Sequence, residues 1–222
     1  MMRTLDVRAV LFDLDGTLAD TAGDLTGAVN RVRHDHGLPP LPIEKVRAHA
    51  SSGARGMLGA GMGVTPDDPQ YPQLRDAFLA HYANGLAVTT CLFDGVDALL
   101  DVLDKRAVRW GIVTNKAARF TQPVTEALGL AARASVIVSG DTTPHAKPHP
   151  APLLHAAAQL GVEAAHCVYV GDDLRDVQAG NAAGMPTIVA RYGYVGTNGD
   201  PSSWPATGWI DEPRDLLAWL PG

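Results

Sequence analysis

The stretch VLFDLDGTLADT, residues 10–21, runs an apolar segment straight into two acids. Ala9 to Phe12 read as buried strand, Asp13 closes it, and Asp15 follows two positions later with Gly16 and Thr17 behind. Carboxylates this close repel, and the pKa of one of them tends to rise. A strand end that carries such a pair raises the question of what needs them there.

Further apolar runs of strand length lie outward from it: Val7 to Phe12 itself, Val108 to Val113, Val136 to Val138, Cys167 to Val170 and Thr187 to Ala190. They are rich in Val and Ile and barely alternate, as strands covered on both faces do. Helical spacing separates them, with Val96, Leu99, Leu100 and Leu103 on one stripe, and similar patterns over 120–128, 151–160 and 177–183. Strand and helix in alternation predict an α/β fold, a doubly wound parallel sheet with right-handed crossovers. One interval breaks the rhythm. Residues 20–37, 43–51, 55–61 and 73–85 read as helix, with breakers at 37–40 and 65–72 and no buried strand among them. The expected organisation is therefore a core of residues 1–19 and 89–222 with an all-α cap, residues 20–88, inserted after the first strand. The chain returns near Phe93-Asp94-Gly95, and the Gly-, Pro- and Ser-rich stretch 193–205 reads as a long loop.

Composition narrows the chemistry. The 222 residues are 46% hydrophobic, ample for a packed core, and the net charge of −6 leaves no broad basic surface for nucleic acid. No apolar run reaches membrane-spanning length, and the acid-containing N-terminus does not read as a secretory signal. Two cysteines far apart, Cys91 and Cys167, fit a reducing compartment, so the expected location is the cytoplasm. No oligomeric state is specified.

In open α/β sheets ligands bind beyond the carboxyl ends of the strands. Those ends here carry Asp13 and Asp15; Thr114, Asn115 and Lys116; Ser139-Gly140-Asp141 and then Lys147; and Asp172, Asp173 and Asp176. The inventory suits phosphoryl transfer. A strand-end carboxylate can be the nucleophile, a second acid can move the proton, and a hydroxyl, an amide and an ammonium can meet the phosphoryl oxygens. Carboxylates without a neighbouring His or Cys ligand suit Mg²⁺. The bland alternatives are that DxDGT is a helix-capping turn, that Thr114-Asn115 and Asp173/Asp176 merely cap helices, and that Lys147 is a solvated lysine. His145 and His149, which flank Lys147, have no zinc spacing.

DLDGT, VTNK, KP and GDDLRD, in this order between apolar runs, resemble the four motifs of the haloacid dehalogenase-like phosphatases over nearly the whole chain. TNK, GDTTPHAKPHPAPL and ARYGY resemble the phosphoglycolate phosphatase branch. SSGARGML, WGIVTNKAARF and GDDLRD resemble the related N-acetylmuramic acid 6-phosphate phosphatases. The resemblance implies a Mg²⁺-dependent hydrolase of a small phosphorylated metabolite. Asp13 would be nucleophile and metal ligand, and Asp15 the general acid/base, offering its backbone carbonyl to the metal. It further implies that Thr114 and Asn115 bind the phosphoryl group, that Lys147 orients Asp13, and that Asp172 ligates the metal. Asp173 and Asp176 would act at one remove; Asp173 stands where the family variant GDSxxD has Ser. Asp15 and the cap argue against a signalling phosphoacceptor, and Asp15 against a dehalogenase, whereas a mutase shares all four motifs.

The motifs see only a phosphoryl group, so the leaving group must be read by the helical insert. Within it, Ser51 to Gly56 offers hydroxyls, glycines and one cation, and Arg55 is the expected grip on a substrate carboxylate.

Overall fold

A computed structural model describes residues 6–197 and 199–221. The first five residues, part of the segment read as no secretory signal, lie outside that set. In chain order the strands are β1 (Ala9–Phe12), β2 (Ala19–Asp20), β3 (Cys91–Leu92), β4 (Arg109–Val113), β5 (Val136–Val138), β6 (Cys167–Gly171), β7 (Thr187–Ala190) and β8 (Gly208–Ile210). The helices are α1 (Ala22–Asp35), α2 (Gly53–Met62), α3 (Tyr71–Ala83), α4 (Val96–Lys105), α5 (Ala118–Ala127), α6 (Ala151–Leu160) and α7 (Leu174–Ala182).

Six strands form one parallel sheet among the described residues, in the order β5-β4-β1-β6-β7-β8. β1 is central. Phe12 pairs with Ile112 on one side and Val170 on the other, so these strands end level with one another. The chain winds outward from β1 through β4 to β5, then returns to β6 on the other flank. That reversal puts the switch-point crevice beside Asp13 and the residues after β6.

Two-residue periodicity decides which layer each strand side chain enters. Val10, Phe12, Ile112, Val168 and Val170 pack with Leu99, Leu100 and Leu103 of α4 and Leu216 on one face. Ala9, Leu11, Val113, Cys167 and Tyr169 pack with Leu153, Ala156 and Leu160 of α6 on the other. Both faces are dry, which is why the runs carry so little alternation.

The helical insert has a core of its own, built from Leu25, Val29 and Val32 of α1, Met57 and Leu58 of α2, and Leu74, Phe78 and Tyr82 of α3. Phe120 of α5 and Tyr194 join it from the sheet side. It begins and ends at a two-stranded antiparallel ladder in which Ala19 pairs with Leu92 and Asp20 with Cys91.

Some expectations need correction. Residues 43–51 do not form an α-helix but two 3-10 turns, 43–45 and 47–52. Ile43, Val46, His49 and the serines are weak helix formers, and Gly53 takes a positive φ that ends the run. α5 and α7 start earlier than their apolar stripes, because their first turns are polar. The edge strand β8 is too short, and its Trp209 too exposed, to leave a strand signature. Among the described residues no helix is long and apolar enough to cross a membrane.

Candidate active site

Lys147 is the centre of the site. It is buried, and its Nζ lies 2.9 Å from Asp13 Oδ1 and 2.7 Å from Asp176 Oδ1. It also donates to the Tyr169 hydroxyl at 2.7 Å and the Val113 carbonyl at 3.0 Å. Asn115 positions the lysine: its side-chain amide donates to the Lys147 carbonyl and its Oδ1 accepts from the Lys147 N–H, each at 2.9 Å. The Asn115 side chain is therefore engaged with backbone, whereas the sequence had suggested phosphoryl binding. Its neighbour Thr114 is buried at the end of β4, its Oγ1 accepting from the Lys116 N–H at 3.2 Å.

The turn after β6 supplies the other acids. Asp173 N-caps α7, accepting from the Arg175 N–H, while Asp176 returns a bond to the Asp173 N–H at 3.0 Å, completing a capping box. The capping reading holds for this pair, and Asp176 in addition reaches Lys147. Asp176 accepts from Tyr169 as well as Lys147. Burial works against the charge of Asp173, but the Arg175 guanidinium outweighs it and holds this carboxyl below the usual range. Arg175 also donates to the Ser51 carbonyl at 2.8 Å, tying α7 to the helical insert.

Asp172 is fully buried. It accepts from Thr17 Oγ1 at 3.2 Å, Ser51 Oγ at 2.8 Å and the Tyr194 N–H at 3.1 Å. Gly16 has a φ of +90°, and a Cβ there would sit 2.3 Å from the Asp172 carboxylate, so the DxDGT turn needs this glycine on two counts. Carboxylate oxygens of Asp13, Asp172 and Asp176 lie within 4.8 Å of one another. Burial pushes Asp13 up to about 7, with Lys147 pulling it down and Asp176 adding to the rise. Asp172 is raised well above its usual range by burial and by the charges of Asp13 and Asp176, against the Ser51 hydrogen bond. Three buried carboxylates within reach of one another make a hard-oxygen donor set that fits a small divalent cation.

Asp15 is not a member of that cluster among the described residues. Lys116 Nζ lies 2.9 and 3.1 Å from its two oxygens, and the Thr21 hydroxyl donates at 2.5 Å. Burial opposes the charge on Lys116, yet Asp15 prevails and holds the ammonium above its ordinary range.

Asp13, Asp15, Thr114 and Asn115 line a cavity of about 270 Å³, roofed by residues of the helical insert. Arg55 is not among its lining residues. It is exposed and borders a second, wider opening with His49 and Thr65, because α2 turns its buried face, Met57 and Leu58, inward to the cap core. Sequence reasoning named Lys116 at a strand end without giving it a role, and passed over Tyr169 and Arg175. Lys116 stood beside Thr114-Asn115 in the same motif, and Tyr169 was a polar group in a doubly covered strand, where a buried hydroxyl demands partners.

Comparison with known proteins bears on the family and the fold. The model of the haloacid dehalogenase-like hydrolase family matches residues 10–190. An N-acetylmuramic acid 6-phosphate phosphatase from Pseudomonas aeruginosa is 42% identical over 97% of this chain and 96% of its own length. A phosphoglycolate phosphatase from Xanthomonas campestris pv. campestris is 43% identical over 96% of each. A crystal structure described as a predicted phosphoglycolate phosphatase from Haemophilus somnus 129pt superimposes with a TM-score of 0.84 at 25% identity, covering 97% of this chain and 99% of that one. With the match running from β1 through β7, the chain belongs to the haloacid dehalogenase-like hydrolases.

Proposed function

We propose that the protein is a Mg²⁺-dependent phosphomonoester hydrolase that works through a phosphorylated Asp13. The observation that carries this reading is that Asp13, paired with the buried Lys147 at 2.9 Å, lines a cavity that Asp15 also lines. Asp13 attacks phosphorus as the ester P–O bond breaks, and Asp15 gives its proton to the leaving oxygen. Asp15 then takes a proton from water, the water oxygen attacks phosphorus, and the bond to Asp13 breaks to release phosphate. Lys116 and Thr21 fix Asp15 for both transfers. Lys147 holds Asp13 in line and offsets charge on the phosphoryl oxygens, and Thr114 offers them a hydroxyl. Mg²⁺, when bound, supplies further compensation of that charge; Asp13 and Asp172 would hold it, with the Asp15 carbonyl, while Asp176 shapes the site through Lys147.

Residues 20–88 act as the cap and exclude water from the cavity. The substrate is a small phosphorylated metabolite, with phosphoglycolate and N-acetylmuramic acid 6-phosphate as the candidates named by the relatives, and the protein works in the cytoplasm. An aryl phosphate assay with and without Mg²⁺ tests the reading. Wild type is expected to turn over only with the metal, and Asp13→Asn to be folded and inactive. Near-normal kcat in Asp13→Asn would overturn the covalent route.

A further inference from the structure

One face of α3 lines the cavity. Arg75, Phe78, Leu79 and Tyr82 stand at i, i+3, i+4 and i+7, and all four border it. Opposite them the start of α5 contributes Arg119 and Phe120. The rings form a continuous wall: Phe78 stacks on Tyr82 at 6.3 Å, and Tyr82 meets Phe120 at 5.3 Å.

Within this wall the Tyr82 hydroxyl is buried and makes no well-formed hydrogen bond among the described residues. Tyr82 is 2% exposed, and the Lys116 ammonium, held by Asp15, lies 4.8 Å from its ring centroid, close enough for its charge to act on the hydroxyl. Buried polar groups are almost always paired, and an orphan in a cavity wall points to a partner supplied by a ligand.

The cations of the cavity are not equivalent. Lys116 is held by Asp15, and Arg175 by Asp173 and the Ser51 carbonyl. Arg119 lies over the Phe120 ring, 4.6 Å from its centroid, and has no acid partner among the described residues. Arg75 faces only its exposed neighbour Asp76, at 3.6 Å. Among the described residues the only acids lining the cavity are Asp13 and Asp15. Beyond the reacting centre, then, stand two guanidiniums open to an anion, one orphan hydroxyl and an apolar wall.

We infer that this face of α3 together with Arg119 and Phe120 is the leaving-group subsite, and that it selects phosphate esters of an extended, amphipathic acid. The inference rests on the hydrolase reading above. The carboxylate meets Arg119 and Arg75, a polar atom between phosphate and carboxylate meets Tyr82, and an apolar flank lies on Phe78 and Phe120. A phosphorylated sugar that carries an acid side arm has all three features; a two-carbon acid has only the carboxylate. Specificity thus sits on α3 and α5, not at Arg55.

The test compares kcat/KM on N-acetylmuramic acid 6-phosphate, on N-acetylglucosamine 6-phosphate, which lacks the carboxylate, on 2-phosphoglycolate and on an aryl phosphate. Wild type is expected to favour the carboxylated sugar ester over the other three. In Arg119→Gln the ratio of the two sugar esters should fall roughly 10- to 100-fold, as for a lost charged hydrogen bond. Tyr82→Phe should raise KM for both sugar esters more than for 2-phosphoglycolate while the melting temperature holds or rises. A ratio unchanged in Arg119→Gln, or one that falls in Arg55→Gln instead, overturns the subsite. If wild type hydrolyses none of the four, the hydrolase reading fails. The subsite is then judged by the Kd for N-acetylmuramic acid 6-phosphate in the Asp13→Asn background: weakening by Arg119→Gln supports it, and an unchanged Kd overturns it.

Discussion

The Thr90 hydroxyl donates to Asp24 at 2.6 Å, joining the first turn of α1 to the chain where it leaves the helical insert. Asp24 also accepts from the Thr89 hydroxyl at 2.7 Å and from the N–H groups of residues 88, 89 and 90. Burial opposes its charge, yet the bonds from Thr90 and Thr89 outweigh it and keep this carboxyl below its ordinary range. A folded-state pKa that is depressed contributes stability above the unfolded value of about 3.9, and the contribution is lost as pH falls through the folded value. Asp24→Ala should therefore lower stability by about 2 kcal/mol near neutrality. The gap to wild type should narrow below about pH 4, read as urea midpoints across pH 3 to 6.

Lys116→Met removes the only ammonium on Asp15 among the described residues. With the acid left on the Thr21 bond alone, kcat on an aryl phosphate should fall roughly 10-fold or more, and KM should change less. Lys116→Arg should recover part of the loss. Equal kcat in Lys116→Met and wild type would show that Asp15 needs no fixing.

Adding Mg²⁺ should raise the melting temperature, since a ligand that binds only the folded state stabilises it. Differential scanning calorimetry in chelator and in Mg²⁺ reads this without turnover. Asp172→Ala should shrink the shift and raise the Mg²⁺ needed for activity. A shift as large in Asp172→Ala as in wild type would remove that residue from the metal site.

Tyr82→Phe deletes a buried hydroxyl that makes no well-formed hydrogen bond among the described residues. An unsatisfied group of this kind costs about 1–3 kcal/mol, so the variant should be at least as stable as wild type in urea. A clear loss of stability would mean the hydroxyl has a structural partner.

The sequence displayed the sheet well because its strands are buried on both faces, and the motifs at their ends fell where β1, β4 and β6 finish level. What it could not display is who partners whom across the fold. Lys147 was visible as a strand-end cation, but its contact with Asp176 comes only from the capping box that folds α7 back under it. Asn115 offers the same amide whether it faces a ligand or a backbone, and only the approach of residue 147 decides. In the insert, glycine and serine near Arg55 drew the eye, while the residues facing the cavity, Arg75, Phe78 and Tyr82, read as an ordinary amphipathic helix.

The short ladder between Ala19–Asp20 and Cys91–Leu92 has an architectural consequence. Neighbouring strands lie about 5 Å apart, so the chain departs from the sheet layer and comes back through one narrow doorway. Whatever lies between the two jambs can be lengthened, shortened or swapped for another fold without re-routing β1 or β4. A chimera that grafts residues 21–90 of a relative onto this chain would keep its strand ends and inherit a different set of preferences, and gene lineages can explore the same exchange.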